Sequence, residues 1–331
     1  MASHSVVTLL KGQLLLTLFS ATCAAYPTVL LSNGVHMPMV AAGTFMYNSS
    51  QAQASVQAAL SVGFPMVDTA SDYNNQVGVG LALQGVPRGA FFLMTKIPGC
   101  GQPGVRLGHC EEDTTAVLEA NLGQLNQSYV DAVLIHSPPL PAIVSRSCKP
   151  VCGMIQAQWR AMSAFYKAGK ARVIGVSNYC DTCVACLEAA PVQPMINQIM
   201  YNFGMGKHWR GFDTTAHKIN MTLQAYSPLG SDLFKKFIHQ NLFKDVDIIR
   251  ISKAHNRSVY NVALKFITDQ GVPVVTKSSN PTHLRDDLDL WAYSLSANDT
   301  ETLARKIAPK VESMTTFMCT QFDKYCTRRT K

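Results

Sequence analysis

From Thr28 onward the chain alternates short apolar runs with amphipathic stretches. A hairpin comes first: Thr28-Val29-Leu30-Leu31 and Val35-His36-Met37 flank Asn33-Gly34, a dipeptide that suits the positive φ angles of tight turns. Eight apolar runs follow, at Met39 to Ala42, Met66 to Val67, Phe91 to Met94, Ala132 to Ile135, Val173 to Val176, Met195 to Ile196, Leu223 to Ala225 and Val272 to Val275. Between most of them lie helical patterns, such as Ala52 to Val62, Glu111 to Leu125, Ile155 to Lys167 and Val259 to Thr268. Strands alternating with helices predict a parallel sheet. Eight such units in about 300 residues predict a closed (β/α)8 barrel in one domain, with the hairpin ahead of it. A doubly wound sheet is the alternative, and the chain lacks the G-x-G-x-x-G such sheets use for dinucleotides.

A polar residue stands at or just after the end of each run: Thr44, Asp68, Lys96, His136, Ser177 with Asn178, Gln198, Tyr226, and Lys277 with Ser278. In a parallel barrel all of these positions face one end, the end where barrel enzymes carry their active sites. One such residue is more often a cap or a satisfied core group. Eight converging on one rim are hard to explain by packing alone.

The motifs that carry these residues are Asn33-Gly34-Val35 with Met37-Pro38, Val67-Asp68-Thr69-Ala70 with Tyr73-Asn74-Asn75, Thr95-Lys96, Leu134-Ile135-His136, Gly175-Val176-Ser177-Asn178, Asn197-Gln198, Tyr226-Ser227-Pro228-Leu229-Gly230 and Lys277-Ser278-Ser279-Asn280-Pro281. In this order they resemble the aldo-keto reductases, from about Leu31 to Leu295. The resemblance implies a TIM barrel that reduces aldehydes or ketones with NADPH, NADH being possible, and with no metal. It implies a catalytic tetrad of Asp68, Tyr73, Lys96 and His136. The chemistry is consistent: reduction needs a hydride for carbon and a proton for oxygen. A Tyr hydroxyl can supply the proton, and a neighbouring ammonium would lower its pKa from about 10. Asp68 can hold that ammonium, and His136 can donate to the developing alkoxide.

The same resemblance assigns Ser177, Asn178 and Gln198 to the nicotinamide carboxamide and Tyr226 to the ring face. Ser227, Leu229 and Ser231 correspond to a loop over the pyrophosphate, and Gly43 and Thr44 to a turn beneath the cofactor. Lys277 and Ser278 correspond to the grip on the adenosine 2′-phosphate. Further along, His283 stands where the family often has Arg, with Arg285 two residues on, and Asp286-Asp287 replaces a Glu-Asn pair at the adenine end. Phe45 replaces a substrate-pocket Trp, and Gln76 replaces a Glu. Residues 313–331 match no family pattern, so the division is a barrel over 26–312 and a tail over 313–331.

Composition narrows the class. The 331 residues are 47% hydrophobic and 15% charged, too few charges for a disordered chain. The net charge of +8 is scattered, which speaks for a solvated surface and against nucleic-acid binding. Residues 1–25 read as a signal peptide: Lys11 precedes the apolar Leu14 to Phe19, and Ala21 to Ala25 precede Tyr26-Pro27. The apolar run is shorter than the roughly 20 residues that span a bilayer. Five N-x-Ser/Thr sequons begin at Asn48, Asn126, Asn220, Asn256 and Asn298. With ten cysteines, they add to an expectation of a disulfide-bonded glycoprotein in the secretory pathway, in the ER lumen or secreted. Cys148 and Cys152 bracket a short loop that a bond could close. Cys180, Cys183 and Cys186 are spaced by three, which suits structural disulfides, a redox dithiol or a metal cluster lacking its fourth ligand.

The leading functional reading is therefore a carbonyl reductase acting on a small-molecule substrate. The alternative is a cofactor-binding barrel serving as a regulatory subunit with little turnover. A glycosidase would need two carboxylates at strand ends, and only Asp68 stands there.

Overall fold

The computed structural model describes residues 26–145, 147–205, 212, 214–230 and 242–306. The leader-like residues 1–25, Ser231 and the tail 313–331 lie outside the described residues. Eight parallel strands close into a barrel in the order β10-β3-β4-β5-β6-β7-β8-β9. They are β3 (Val40–Gly43), β4 (Met66–Asp68), β5 (Phe92–Ile97), β6 (Val130–Ile135), β7 (Ala171–Ser177), β8 (Ile196–Met200), β9 (Thr222–Tyr226) and β10 (Val274–Thr276). Every residue of β5 and β6 is buried, as expected of strands covered on both faces. The antiparallel hairpin β1 (Thr28–Leu30) and β2 (His36–Pro38) turns at Gly34, φ 84°. It buries Leu31 and Met37, and Asn33 Nδ2 donates to the Arg172 carbonyl near the start of β7. The hairpin thereby packs at the N-terminal end of the barrel, away from the strand ends that carry the polar residues.

The helices are α1 (Ser49–Ser61), α2 (Gln76–Leu83), α3 (Cys110–Leu125), α4 (Leu140–Ser145), α5 (Cys152–Lys167), α6 (Asp181–Val184), α7 (Thr214–Lys218), α8 (Val246–Ala254), α9 (Val259–Thr268), α10 (Pro281–Leu288) and α11 (Ala297–Lys306). Amphipathic α5 buries Ile155, Trp159, Met162 and Phe165. Helix α2, which follows the loop carrying Tyr73, lies unusually close to its neighbours. A Cβ on Gly78 would collide with the Ser49 carbonyl, and one on Gly80 would lie 2.8 Å from the Gln124 and Leu125 carbonyls.

Three sequon asparagines have a backbone reason for being there. Asn126, Asn220 and Asn256 follow helices α3, α7 and α8 with φ of 51°, 53° and 52°, the left-handed conformation that Asn tolerates at helix ends. Asn48 is the N-cap of α1, its side chain accepting from Gln51 N while Gln51 returns a bond to Asn48 N.

The cysteines pair as Cys100–Cys110, Cys148–Cys183 and Cys152–Cys186, and Cys180 is disulfide-bonded as well. The expected short loop between Cys148 and Cys152 is not formed. Cys148 caps the 3₁₀ turn 149–151 that leads into α5 and Cys152 opens α5; they bond instead to Cys183 in α6 and to Cys186 in the 3₁₀ turn just after it. The two bonds staple the loop after β6 to the loop after β7. A metal cluster on Cys180, Cys183 and Cys186 is thereby ruled out. Among the described residues no helix is long and apolar enough to cross a membrane.

Candidate active site

The polar residues expected at one rim do meet there. Parallel pairing sets Gly43 beside Asp68, Asp68 beside Met94, Lys96 beside Leu134, Ile135 beside Val176 and Ser177 beside Gln198. At the centre, Lys96 Nζ donates to Asp68 Oδ1 at 2.6 Å and to the Thr69 carbonyl at 3.1 Å. The lysine side chain is fully buried and Asp68 nearly so. Gln198 Nε2 donates to the other Asp68 oxygen at 2.8 Å. The ammonium lies 5.3 Å from the centre of the Tyr73 ring. Tyr73 packs edge-on to His136 at 5.5 Å and against Phe45 at 5.0 Å. Phe45 itself is 46% exposed, so this apolar ring lies at the open side of Tyr73.

The electrostatics correct one expectation. Burial, followed by the Asp68 and Asp72 carboxylates and Tyr226, pushes the Tyr73 phenol well above its ordinary pKa. Tyr73 is thus held as the neutral phenol, the form that has a proton to give.

The residues after β7, β8 and β9 are joined to the tetrad. Asn178 takes a left-handed backbone, φ 60°, and its Nδ2 donates to the His136 carbonyl at 3.0 Å. Tyr226 OH donates to Asn178 Oδ1 at 2.9 Å, and Ser177 Oγ donates to the Gln198 carbonyl at 2.8 Å. Ser227 also has positive φ, 52°, in a turn closed by Gly230 N donating to its carbonyl. Leu229 packs partly buried against the core beside that turn.

Other predicted residues sit where they shape the rim. Gly43 lies so close to β10 that a Cβ would stand 3.0 Å from Val275 Cγ1. Thr44 is buried, donating to Thr69 Oγ1 at 2.9 Å. Lys277 stands over the Tyr47 ring at 4.1 Å, and partial burial lowers its pKa. Ser278 Oγ accepts from Asn280 N, and Asn280 caps α10 by accepting from Thr282 N. His283 and Arg285 are exposed on α10. Asp286 is turned toward α9, accepting from Ser258 Oγ, and Asp287 is buried. The structure thus draws both acids into helix packing.

Sequence reasoning passed over several partners. Asp72 lies 2.9 Å from His136 Nδ1. Asn75 Nδ2 donates to the carbonyls of Thr44 and Tyr47, tying the loop after β3 to the one after β4. Gln76 bridges Thr95 and Asn121. Position beside Tyr73 was the sole sequence signal for Asp72, since its partner is 64 residues away.

Comparison with known proteins adds to this geometry. Residues 39–308 match the model of the Aldo/keto reductase family. The chain is 31% identical to a glyoxal reductase of Bacillus subtilis over 277 residues, covering 82% of this chain and 90% of that protein. It is 30% identical to an NADPH-dependent alpha-keto amide reductase of Saccharomyces cerevisiae, covering 82% and 88%. Among solved structures, an aldo-keto reductase from a Medee basin deep-sea metagenome library superimposes with a TM-score of 0.72 at 26% identity, covering 86% and 97%. An aldo/keto reductase from Brucella melitensis does so with 0.72 at 27%, covering 85% and 99%. These findings count against the expected placement in the secretory pathway, with its signal peptide and glycans: the relatives are named as reductases of bacteria and yeast, and the disulfides are not evidence of secretion.

Proposed function

Because the chain belongs to the aldo/keto reductase family and is an oxidoreductase, we propose that it reduces aldehydes or ketones to alcohols with NADPH, using Tyr73 as the proton donor. The observation that carries this reading is the buried Asp68–Lys96 pair at 2.6 Å set beneath a protonated Tyr73. Bound NADPH supplies the hydride for the carbonyl carbon. Tyr73 gives its proton to the carbonyl oxygen, and Lys96 stabilises the phenolate left behind, where opposite charge matters most. Asp68 and the Thr69 carbonyl keep the ammonium in place. His136 donates to the substrate oxygen and orients it, and Phe45 walls the pocket beside Tyr73.

The residues present fit a nicotinamide dinucleotide. A carboxamide needs both donors and acceptors, and the Ser177 hydroxyl with the Asn178 and Gln198 amides offers them at one rim. Tyr226 is fixed beside them by its bond to Asn178 and offers a ring face. The 227–230 turn is assigned to the pyrophosphate. Lys277 and Ser278 precede the N-terminus of α10 and His283 lies in its first turn, a place suited to a phosphate, with Arg285 farther along the helix. Asp286 and Asp287 have no direct part in this grip. The name of the yeast relative supports NADPH as the cofactor.

Tyr73→Phe tests the reading. It removes one hydroxyl and leaves the pocket, so reduction should fall by roughly 10²–10⁴-fold while NADPH still quenches protein fluorescence with nearly unchanged affinity. Turnover kept within a few-fold would exclude Tyr73 as the donor.

A further inference from the structure

Among the described residues, Asp72 is a titratable side chain at the barrel mouth that the chemistry above does not use. It sits in the middle of the 71–73 turn, one residue before Tyr73. Both of its carboxylate oxygens lie 2.9 Å from His136 Nδ1. Burial acts to raise the Asp72 carboxyl, but the hydrogen bond and charge of His136, with help from Lys96, outweigh it and hold the group below the usual range. Asp72 is therefore ionised near neutral pH.

An ionised carboxylate only accepts hydrogen bonds, so the nitrogen facing it must carry the hydrogen. A neutral imidazole has one N–H in total. With that hydrogen on Nδ1, Nε2 on the far side of the ring holds a lone pair and can only accept. It becomes a donor when the ring takes a second proton. Among the described residues, the titratable groups facing the ring from its neighbours are Asp72 and Tyr73 from the same turn, and Lys96 from β5 already bonded to Asp68 of β4. Asn178, after β7, is neutral and holds the His136 carbonyl.

We propose that Asp72 is a positioning residue that fixes the Nδ1–H tautomer of His136, so that Nε2 donates to a substrate oxygen only as part of the imidazolium. This rests on the reading of His136 as the group that orients the carbonyl. The imidazolium donates to the oxygen that Tyr73 protonates in reduction, and by microscopic reversibility to the same oxygen when the Tyr73 phenolate takes the proton back in oxidation. A substrate oxygen could be oriented by either nitrogen of a loose imidazole; Asp72 removes that choice.

Long-range ¹H–¹⁵N NMR of the uniformly ¹⁵N-labelled protein reads the tautomer directly, without cofactor or substrate. The His136 signals are assigned by their loss in His136→Gln. At alkaline pH the wild type should show hydrogen on Nδ1. Asp72→Asn retains an acceptor oxygen and should keep that pattern. Asp72→Leu, or Asp72→Ala if the larger side chain is not accommodated, should move the hydrogen to Nε2, the form that free imidazoles prefer. Steady-state kinetics then follow. In the wild type and Asp72→Asn, kcat/KM for reduction should fall on the alkaline side as the imidazolium is lost. In Asp72→Leu that limb should flatten, because the neutral ring now donates through Nε2, while NADPH affinity stays the same. Hydrogen on Nε2 in the wild type, or the same tautomer in wild type and Asp72→Leu, would overturn the proposal. A tautomer that changes with no change in the pH profile would leave Asp72 as the tautomer lock and overturn the donor role of His136.

Discussion

Replacing Lys96 by Met keeps the length of the side chain and removes the ammonium that Asp68 holds at 2.6 Å. The two side chains are 0% and 4% exposed, so neither has water to fall back on. In Lys96→Met the Asp68 carboxylate keeps one donor, Gln198 Nε2, and no counter-charge. Breaking a buried pair by removing one partner costs about 3–5 kcal/mol, because the surviving charge keeps its desolvation penalty. Replacing both, Lys96→Met with Asp68→Leu, removes that penalty. What is left is the bond each of the Thr69 carbonyl and Gln198 amide loses, about 1–2 kcal/mol together. Urea unfolding followed by circular dichroism measures both variants, and a thermal scan should show a single-variant loss of roughly 10 °C against a few degrees for the double. Both should be inactive, so activity and stability separate in the double variant. A double variant as unstable as the single, or Lys96→Met within about 1 kcal/mol of the wild type, would refute the buried-charge reasoning.

Lys277→Ala should weaken NADPH more than NADH, by about tenfold or more, since a charge-assisted contact is worth roughly 1.5–3 kcal/mol; equal losses in fluorescence titrations would show that Lys277 does not meet the 2′-phosphate. Burial, with the neighbouring Asp286 carboxylate, raises Asp287 to about 7, against about 3.9 when unfolded. Its contribution to stability is therefore fully present below about pH 4 and lost as pH rises through about 7. Asp287→Asn should be more stable than the wild type at pH 8 by an amount on the order of 3 kcal/mol, with the gain gone at pH 4; a pH-independent difference in denaturation midpoint would exclude this. Replacing Cys148 and Cys183 by Ser opens a bond spanning 35 residues and should cost on the order of 3–4 kcal/mol, while the far-UV spectrum of the barrel is kept.

The strand runs and helical stretches read from the sequence reappear within a few residues, and so does the order of polar residues along the rim. Asp68, Lys96 and His136 were legible because a parallel barrel sends every strand end to the same face, whatever the loops do. Tyr73 was legible through its motif. The sequons at Asn126, Asn220 and Asn256 coincide with left-handed helix ends, a backbone role that the three-residue pattern does not reveal.

The sequence alone determined the periodicity, hence the eight βα units, and the identity of each group delivered to the barrel mouth. These depend on neighbours within a turn or a strand. Tertiary structure decided what those groups meet. His136 finds Asp72 across 64 residues, and Cys148 passes over Cys152 to reach Cys183. Tyr73 is governed by burial and two carboxylates more than by the lysine beneath it. Such pairings are set by how loops from different strands cross at the rim. That crossing is a property of the closed barrel and leaves no local periodic trace in the chain.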